Sequence, residues 1–417
     1  MQLDLIDDII IKEFFDHVSR KRVSGPFSDL VDPPSYNCPG YMNSYKNALE
    51  FCWKTHGEVK QEMPKEICHE IAEFIVGYQR EYNDAKQRGE VPMMEGKCPM
   101  SFTGYRYIAL KAVQATNDCM QNIFAWAYLV LCWNLMARSD NVGSLMLEHI
   151  GWVDDALTVT FVRMKGDQIG AKMMPRKVYA NPVQPEICPV LALAVYMFTL
   201  GIRPPGAKKL LFCNTGASAR FSKWLKNFLA VAEISAELAI MCIFIHDIGT
   251  HSFRKGITTF LCGMISGPSA VHIYLRAGWS LGVQKRYIWA SQGGDELCGR
   301  AATGLCITLP QFASLPPHRN PKDGPMFTEA EWEDVYPGFA ELPQVTKTVL
   351  PFLAASIFYH WKWLDEMLAS NHPLRATRIW THPRVDMLRR TIHVGEFYND
   401  ITGLAASGKR ISAILTN

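Results

Sequence analysis

Phe244 to Tyr287 reads FIHDIGTHSFRKGITTFLCGMISGPSAVHIYLRAGWSLGVQKRY. His251 and Arg254 stand three apart, a helix-like stretch of mixed polarity follows, and Gly278-Trp279 precedes Tyr287 by one short segment. Each of these side chains can act on a phosphodiester: a proton-transfer group, a guanidinium fork, an indole donor and a phenol nucleophile. An isolated His-x-x-Arg carries almost no information. The ordered series is the signal, and it directs attention upstream, to a second arginine and a lysine.

Both are present. The most apolar segment, Ile123 to Ala137 (IFAWAYLVLCWNLMA), is too short to span a bilayer and is interrupted by Asn134, so a buried helix over 121–137 is expected. Arg138 lies at its end. A charge closing so apolar a segment is either held for a ligand or simply faces solvent, and both readings stay open. Next, Ala156 to Arg163 (ALTVTFVR) alternates and is β-branched, Met164-Lys165-Gly166-Asp167 follows, and a second extended run reaches Lys177-Val178-Tyr179. This pattern predicts a β-hairpin with Lys165 at or beside the turn. Helices are expected over Pro185 to Leu200 and, amphipathic with a basic polar face, over Arg220 to Ala232.

Around this centre the 417 residues allow two or three domains. A hydrophobic content of 48% with 20% charged residues fits a folded chain. The formal charge is only +3, so nucleic-acid affinity has to come from local clustering. Between His251 and Arg300 the balance is basic: Arg254, Lys255, Arg276, Lys285, Arg286 and Arg300 outnumber Asp295 and Glu296, a patch suited to a phosphate backbone or to solvent. The 12 cysteines are scattered singly and read as reduced thiols. The N-terminal MQLDLIDDII is acidic and apolar, the reverse of a secretory leader. Helical periodicity marks Leu3 to Val18, closed by Arg20-Lys21-Arg22, and then about Tyr41 to His56 and Pro64 to Gly89. Beyond Gly304 the composition changes: LPPHRNPKDGP is a linker, and Thr346 to Leu368 is an aromatic-rich helical region.

Arg138, Lys165, His251-x-x-Arg254, Gly278-Trp279 and Tyr287 together resemble the tyrosine recombinase (phage-integrase-like) family. The wording WNLMARS, MKGDQ, VYANP, PEICPVLALA, HSFRKG, LRAGWSLG and RYI is most similar to crypton-type transposon recombinases, and the similarity covers most of the chain. The resemblance implies a mainly α fold with a small antiparallel β element (α+β). It divides the chain into a helical core-binding domain over 1–95, a catalytic domain over 96–309 and a helical extension over 310–417. The first two would clamp duplex DNA, and the aromatic run Phe352 to Trp363 in the third would serve contacts between protomers.

The implied activity is DNA strand exchange or integration in the nucleus, by a homo-oligomer on double-stranded DNA, with no cofactor, no metal and no membrane. Arg138 and Arg254 would neutralise the phosphate, Tyr287 would attack it, His251 would accept a proton, Lys165 would protonate the leaving oxygen and Trp279 would donate a hydrogen bond. Lys172 competes with Lys165, Tyr274 with Tyr287, and Asp140 is the candidate brace for Arg138. A type IB topoisomerase shares this chemistry, and a retired, purely DNA-binding descendant would keep only the fold. His246-Asp247 raises a third reading, the core of an HD-type metal phosphohydrolase, which requires further ligands.

Overall fold

Three amphipathic helices build the first of two units into which the chain divides, Met1–Gly96 and Lys97–Asn417. The computed structural model describes residues 7–32, 34–55, 62–93, 96–162, 175–203, 206, 209–279, 294–395 and 402–403. Helix α1 (Asp8–Ser19) starts beneath Asp7, whose carboxylate accepts from the Ile10 amide at 2.9 Å. It packs with α2 (Pro39–Thr55) against α3 (Lys65–Gln87), and Phe15 and Ile71 are fully enclosed between them. Each such side chain contributes about 1.5–3 kcal/mol by leaving water. The Tyr78 hydroxyl lies 2.9 Å from Ser19 O and 2.5 Å from Asn37 O, which ties together the two ends of the loop between α1 and α2.

The second unit runs α4 (Phe102–Gln114), α5 (Cys119–Asn134), α6 (Ser139–Gly143), β1 (Ile150–Val153), β2 (Ala156–Thr160) and β3 (Pro175–Val178). It continues with α7 (Pro189–Leu200), α8 (Ala217–Leu229), α9 (Ala232–Ile240), α10 (Thr250–Cys262), α11 (Ala270–Ala277) and α12 (Gly294–Ala302). After these come β4 (His318–Arg319), α13 (Glu329–Val335), α14 (Gln344–Lys347), α15 (Leu350–Tyr359), α16 (Trp361–Met367), α17 (Arg378–Thr381), α18 (Val385–Arg390) and β5 (Ile392–His393). The chain is thus mainly helical with small antiparallel sheets, an α+β class. Among the described residues no helix is long and apolar enough to cross a membrane.

Two helices that are apolar around their whole circumference, α5 and α7, have to be surrounded. Every residue from Asn122 to Asn134 is buried, as is every one from Pro189 to Phe198. Helices α4, α7, α8, α10 and α12 pack on α5, and α15 covers α7. The expected hairpin is β2–β3, with Thr158 opposite Lys177 and Val159 opposite Arg176. A third strand, β1, precedes it across a two-residue turn at Asp154-Asp155. Lys165 and Lys172, in the connection between β2 and β3, lie outside the described residues.

The segment after 309 shares this core. Buried apolar residues from Met100 to Leu388 form one cluster. Trp152 stacks on Phe352 at 3.8 Å, and the Thr346 hydroxyl donates to Leu147 O at 2.7 Å. The aromatic run expected to need a neighbouring protomer is therefore largely spent inside its own chain: Leu353 to Phe358 are buried. The helical region expected over 346–368 is made of three short helices, and Pro351, which has no amide proton, begins α15 afresh. Arg300 and Asp155, both fully buried, meet at 2.6 Å; Arg300 also donates to Thr402 O, Phe312 O and Ser314 O, and Asp155 accepts from Thr402.

Four histidines of this later segment are buried: His318, His360, His372 and His382. Burial pushes His360 down to about 3, and burial with Arg375 nearby pushes His372 down to about 4. His382 is lowered too, by burial and Arg384 against the opposing pull of Glu331 and Asp334. A histidine whose folded pKa is depressed adds stability that is complete above its ordinary value near 6.5 and is lost as pH falls toward the folded value. Urea midpoints should accordingly drop between about pH 6.5 and pH 4, by up to about 1.4 kcal/mol per pH unit for each fully neutral histidine. His360→Gln should flatten that slope; an unchanged slope would place the acid sensitivity elsewhere.

Candidate active site

Helix α10 is seated by a glycine. A Cβ at Gly256 would come within 2.1 Å of Met100 O and 3.0 Å of the Trp133 ring, so only glycine lets the segment before α4 lie on this helix. That segment is fixed by Cys98 N donating to Asp247 O at 2.8 Å and Met100 N to Ser252 O at 2.9 Å. The Ser252 hydroxyl accepts from Gly249 N at 3.1 Å and caps the helix start. His251 is exposed in the first turn, and Arg254, one turn on, points inward with 7% exposure.

Arg254 donates from Nη2 to Ala277 O, which fastens α10 to the end of α11. Gly278, at φ +73°, ends α11 in the left-handed conformation, and the turn brings the Trp279 ring to 5.6 Å from the Arg254 guanidinium. Tyr274 packs edge-on against Trp279 at 4.9 Å. Burial and the Arg138 charge push Arg254 down to about 10. Arg138 is half-buried and, among the described residues, has no hydrogen-bonding or ion-pair partner for its side chain. The two guanidinium groups are near enough for the charge of one to act on the other, and among the described residues neither has a carboxylate ion-pair partner.

Arg138 does not close the apolar helix. Helix α5 stops at Asn134, Met136 adopts φ +49°, and Arg138 sits at the N-cap of α6. A left-handed methionine costs about 1–2 kcal/mol, so the turn has to be held by its surroundings. Ala137 N donates to Cys132 O at 3.2 Å and Met136 N to Trp133 O at 3.0 Å, the paired bonds of a Schellman ending. Asp140, the expected brace, is exposed in the first turn of α6 and makes no ion pair with Arg138.

Arg176, which the sequence reading did not single out, and Arg276, which it counted only within a basic patch, complete this turn. Arg276 donates to Asn134 O at 2.9 Å, and Arg176 to Leu135 O at 2.5 Å. Arg276 also pairs with Asp295 at 2.5 Å and donates to Lys177 O at 2.9 Å. Only a weak signal could have found them: Arg176 falls on the face of β3 that Val178 shares, and Arg276 lies on the apolar side of α11 beside Ile273 and Ala277.

These contacts correct the reading of 251–300 as a basic patch. Arg276 and Arg300 are buried in ion pairs with Asp295 and Asp155, and Lys285 and Arg286 lie outside the described residues. So does Tyr287. The structure therefore brings Arg138, Arg254 and Trp279 together, with His251 on the same helix as Arg254, and does not describe the lysine or the tyrosine. His246 and Asp247 meet at 3.3 Å on the surface, and among the described residues no three His, Cys, Asp or Glu side chains are grouped to hold a metal ion. No protein-family model and no curated protein matches this chain.

Like charges this close should be relieved by an anion. Inorganic phosphate or vanadate at low ionic strength should stabilise the wild-type protein, by about 1.4 kcal/mol at tenfold excess over Kd. Arg138→Ala should be slightly more stable than wild type without anion, by about 0.5 kcal/mol for a half-exposed charge, and should lose the anion effect. Equal anion stabilisation of both proteins in thermal melts would show that the pair does not bind it.

Proposed function

We propose that this chain is a DNA strand transferase of the tyrosine recombinase type, which cleaves and rejoins duplex DNA through a 3′-phosphotyrosyl intermediate, as a crypton-like mobile element would require. The observation that carries this reading is the unbalanced Arg138–Arg254 pair beside Trp279. A phosphodiester in attack gains negative charge on its non-bridging oxygens, and two planar donor forks that have no carboxylate ion-pair partner among the described residues suit that charge. Trp279 adds an indole N–H but cannot move a proton.

Tyr287 Oη attacks phosphorus, the bond to the 5′-oxygen breaks, and the diester becomes a tyrosyl ester. The phenolic proton passes to His251, and the leaving 5′-oxygen takes a proton from Lys165, or from Lys172. Attack by a 5′-hydroxyl of a second strand reverses the step and needs no ATP. Residues 1–95 act as the core-binding domain that closes on DNA with the catalytic domain, and exchange proceeds in a homo-oligomer in the nucleus. Relaxation of a single duplex would be the topoisomerase outcome of the same chemistry.

Incubation with a nicked duplex from the element's own ends should give an SDS-resistant adduct with wild type and none with Tyr287→Phe. An adduct that survives Tyr287→Phe but not Tyr274→Phe would move the nucleophile. Adduct formation should persist in EDTA, and strict metal dependence would favour the HD-type reading.

Replacing the bridging 5′-oxygen by sulfur separates the acid from the charge stabilisers. A thiolate leaves without protonation, since a thiol is far more acidic than an alcohol. Lys165→Ala should be slowed about 10²–10⁴-fold on ordinary DNA and restored on the sulfur substrate. Arg138→Ala should not be restored, because the non-bridging oxygens are unchanged. Restoration of Lys172→Ala in place of Lys165→Ala would reassign the acid.

A further inference from the structure

We infer that Arg276 and Arg176 are positioning residues of the candidate site, clamping consecutive carbonyls at the end of α5 so that the turn after them delivers Arg138 opposite Arg254. The assignment rests on the strand-transfer reading for its chemistry and on the carbonyl contacts for its geometry.

A helix ends with carbonyls that no intrahelical amide reaches. In α5 each has an identifiable donor. Cys132 O accepts from Ala137 N, and Trp133 O from Met136 N. Asn134 O accepts from Arg276 Nη2 at 2.9 Å, and Leu135 O from Arg176 Nη1 at 2.5 Å. The first two bonds are local and follow from the left-handed Met136. The other two come from distant elements, α11 and β3, and both are cations at a helix C-terminus, where the helix dipole favours them. Three residues after Leu135 the chain presents Arg138.

Arg276 does more than cap. Its Nη1 reaches Asp295 O at 3.1 Å and Asp295 Oδ1 at 2.5 Å, and its Nη2 also reaches Lys177 O at 2.9 Å. Asp295 in turn accepts from Lys177 N at 2.8 Å. One guanidinium therefore joins four elements: α5 before Arg138, β3 on the returning side of the Lys165 hairpin, α11 before Trp279, and α12 after Tyr287. Arg254 donates to Ala277 O, next to Arg276 in sequence, so α10 is tied to the same joint. Lysine could supply the charge at this place but not two forked nitrogens that satisfy four acceptors.

The test uses Arg276→Lys in the full chain, with Arg176→Lys as the second variant should the first not fold. Hydrogen exchange followed by mass spectrometry should show faster exchange in the peptide spanning 135–142, with the rest of the second unit near wild type. Single-turnover cleavage of the nicked duplex should slow about 100-fold at full burst amplitude, with DNA affinity unchanged within about twofold. A merely structural role would give the opposite pattern, a smaller amplitude of molecules reacting at the wild-type rate, and would overturn the inference. So would unchanged exchange at 135–142, whatever the DNA result. Failure of wild type itself to form an adduct is a separate outcome: it removes the strand-transfer reading and with it the positioning role, while localised exchange would still identify the carbonyl clamp.

Discussion

The second unit depends on a guanidinium that water does not reach. Arg276 uses all four N–H bonds of its two terminal nitrogens on Asn134 O, Lys177 O and both oxygens offered by Asp295, and only its Nε is buried without a partner. A buried ion pair such as Arg276–Asp295 adds little net stability, because desolvation offsets the attraction. Its effect is on arrangement. Removing either partner strands a charge, so any packing that separates α11 from α12 or from the end of α5 is excluded at a cost of about 3–5 kcal/mol.

Gathering arginines in this way creates a tension that the site retains. Burial, Arg276 and Arg254 act together to push Arg176 down to about 9, with Asp295 opposing, and burial and Arg138 push Arg254 to about 10. Arg176 and Arg254 stay protonated at neutral pH, and among the described residues the one carboxylate paired within this group is that of Asp295. For Arg176 and Arg276, backbone carbonyls at a helix end take up part of that excess. Arg138 has no such acceptor among the described residues and is the one of the four that is not buried. On the proposed strand-transfer reading, the excess charge is expressed where a phosphate would arrive, and its restraint would fall to residues that do not meet the phosphate.

Much of this was legible in the sequence where a single physical rule decides. The all-apolar runs of α5 and α7 could only be enclosed helices, and the alternation of Ala156 to Thr160 could only be a strand. The spacing of His251 and Arg254 placed them one turn apart, although it did not say that one would face water and the other the core. Charge counting failed for a related reason. A tally cannot distinguish a solvated arginine from one like Arg300, which is enclosed by Asp155, three carbonyls and the Tyr179 ring. The end of α5 was misplaced because Leu135, Met136 and Ala137 continue the apolar pattern. The chain leaves the helix there by way of a left-handed methionine, stabilised by contacts from residues far along the sequence.

The same reasoning bears on the segment after 309. Its aromatic run looked like a surface awaiting a partner, but Phe352 lies on Trp152, Leu353 to Phe358 are buried, and Trp361 stacks on Trp380 at 3.7 Å. Thr402 reaches back to the Asp155–Arg300 pair, which sits beside the turn between β1 and β2. Leu315 to His318, expected in a linker, are buried and run into β4, and a cut at about residue 310 would leave Trp152, Leu147 O and Asp155 without Phe352, Thr346 and Thr402, which cover or bond them. The later segment is a supporting wall of the second unit. Any contact it makes with another protomer has to use its outer residues, such as Lys362 and Met387, because its apolar interior is already filled by its own chain.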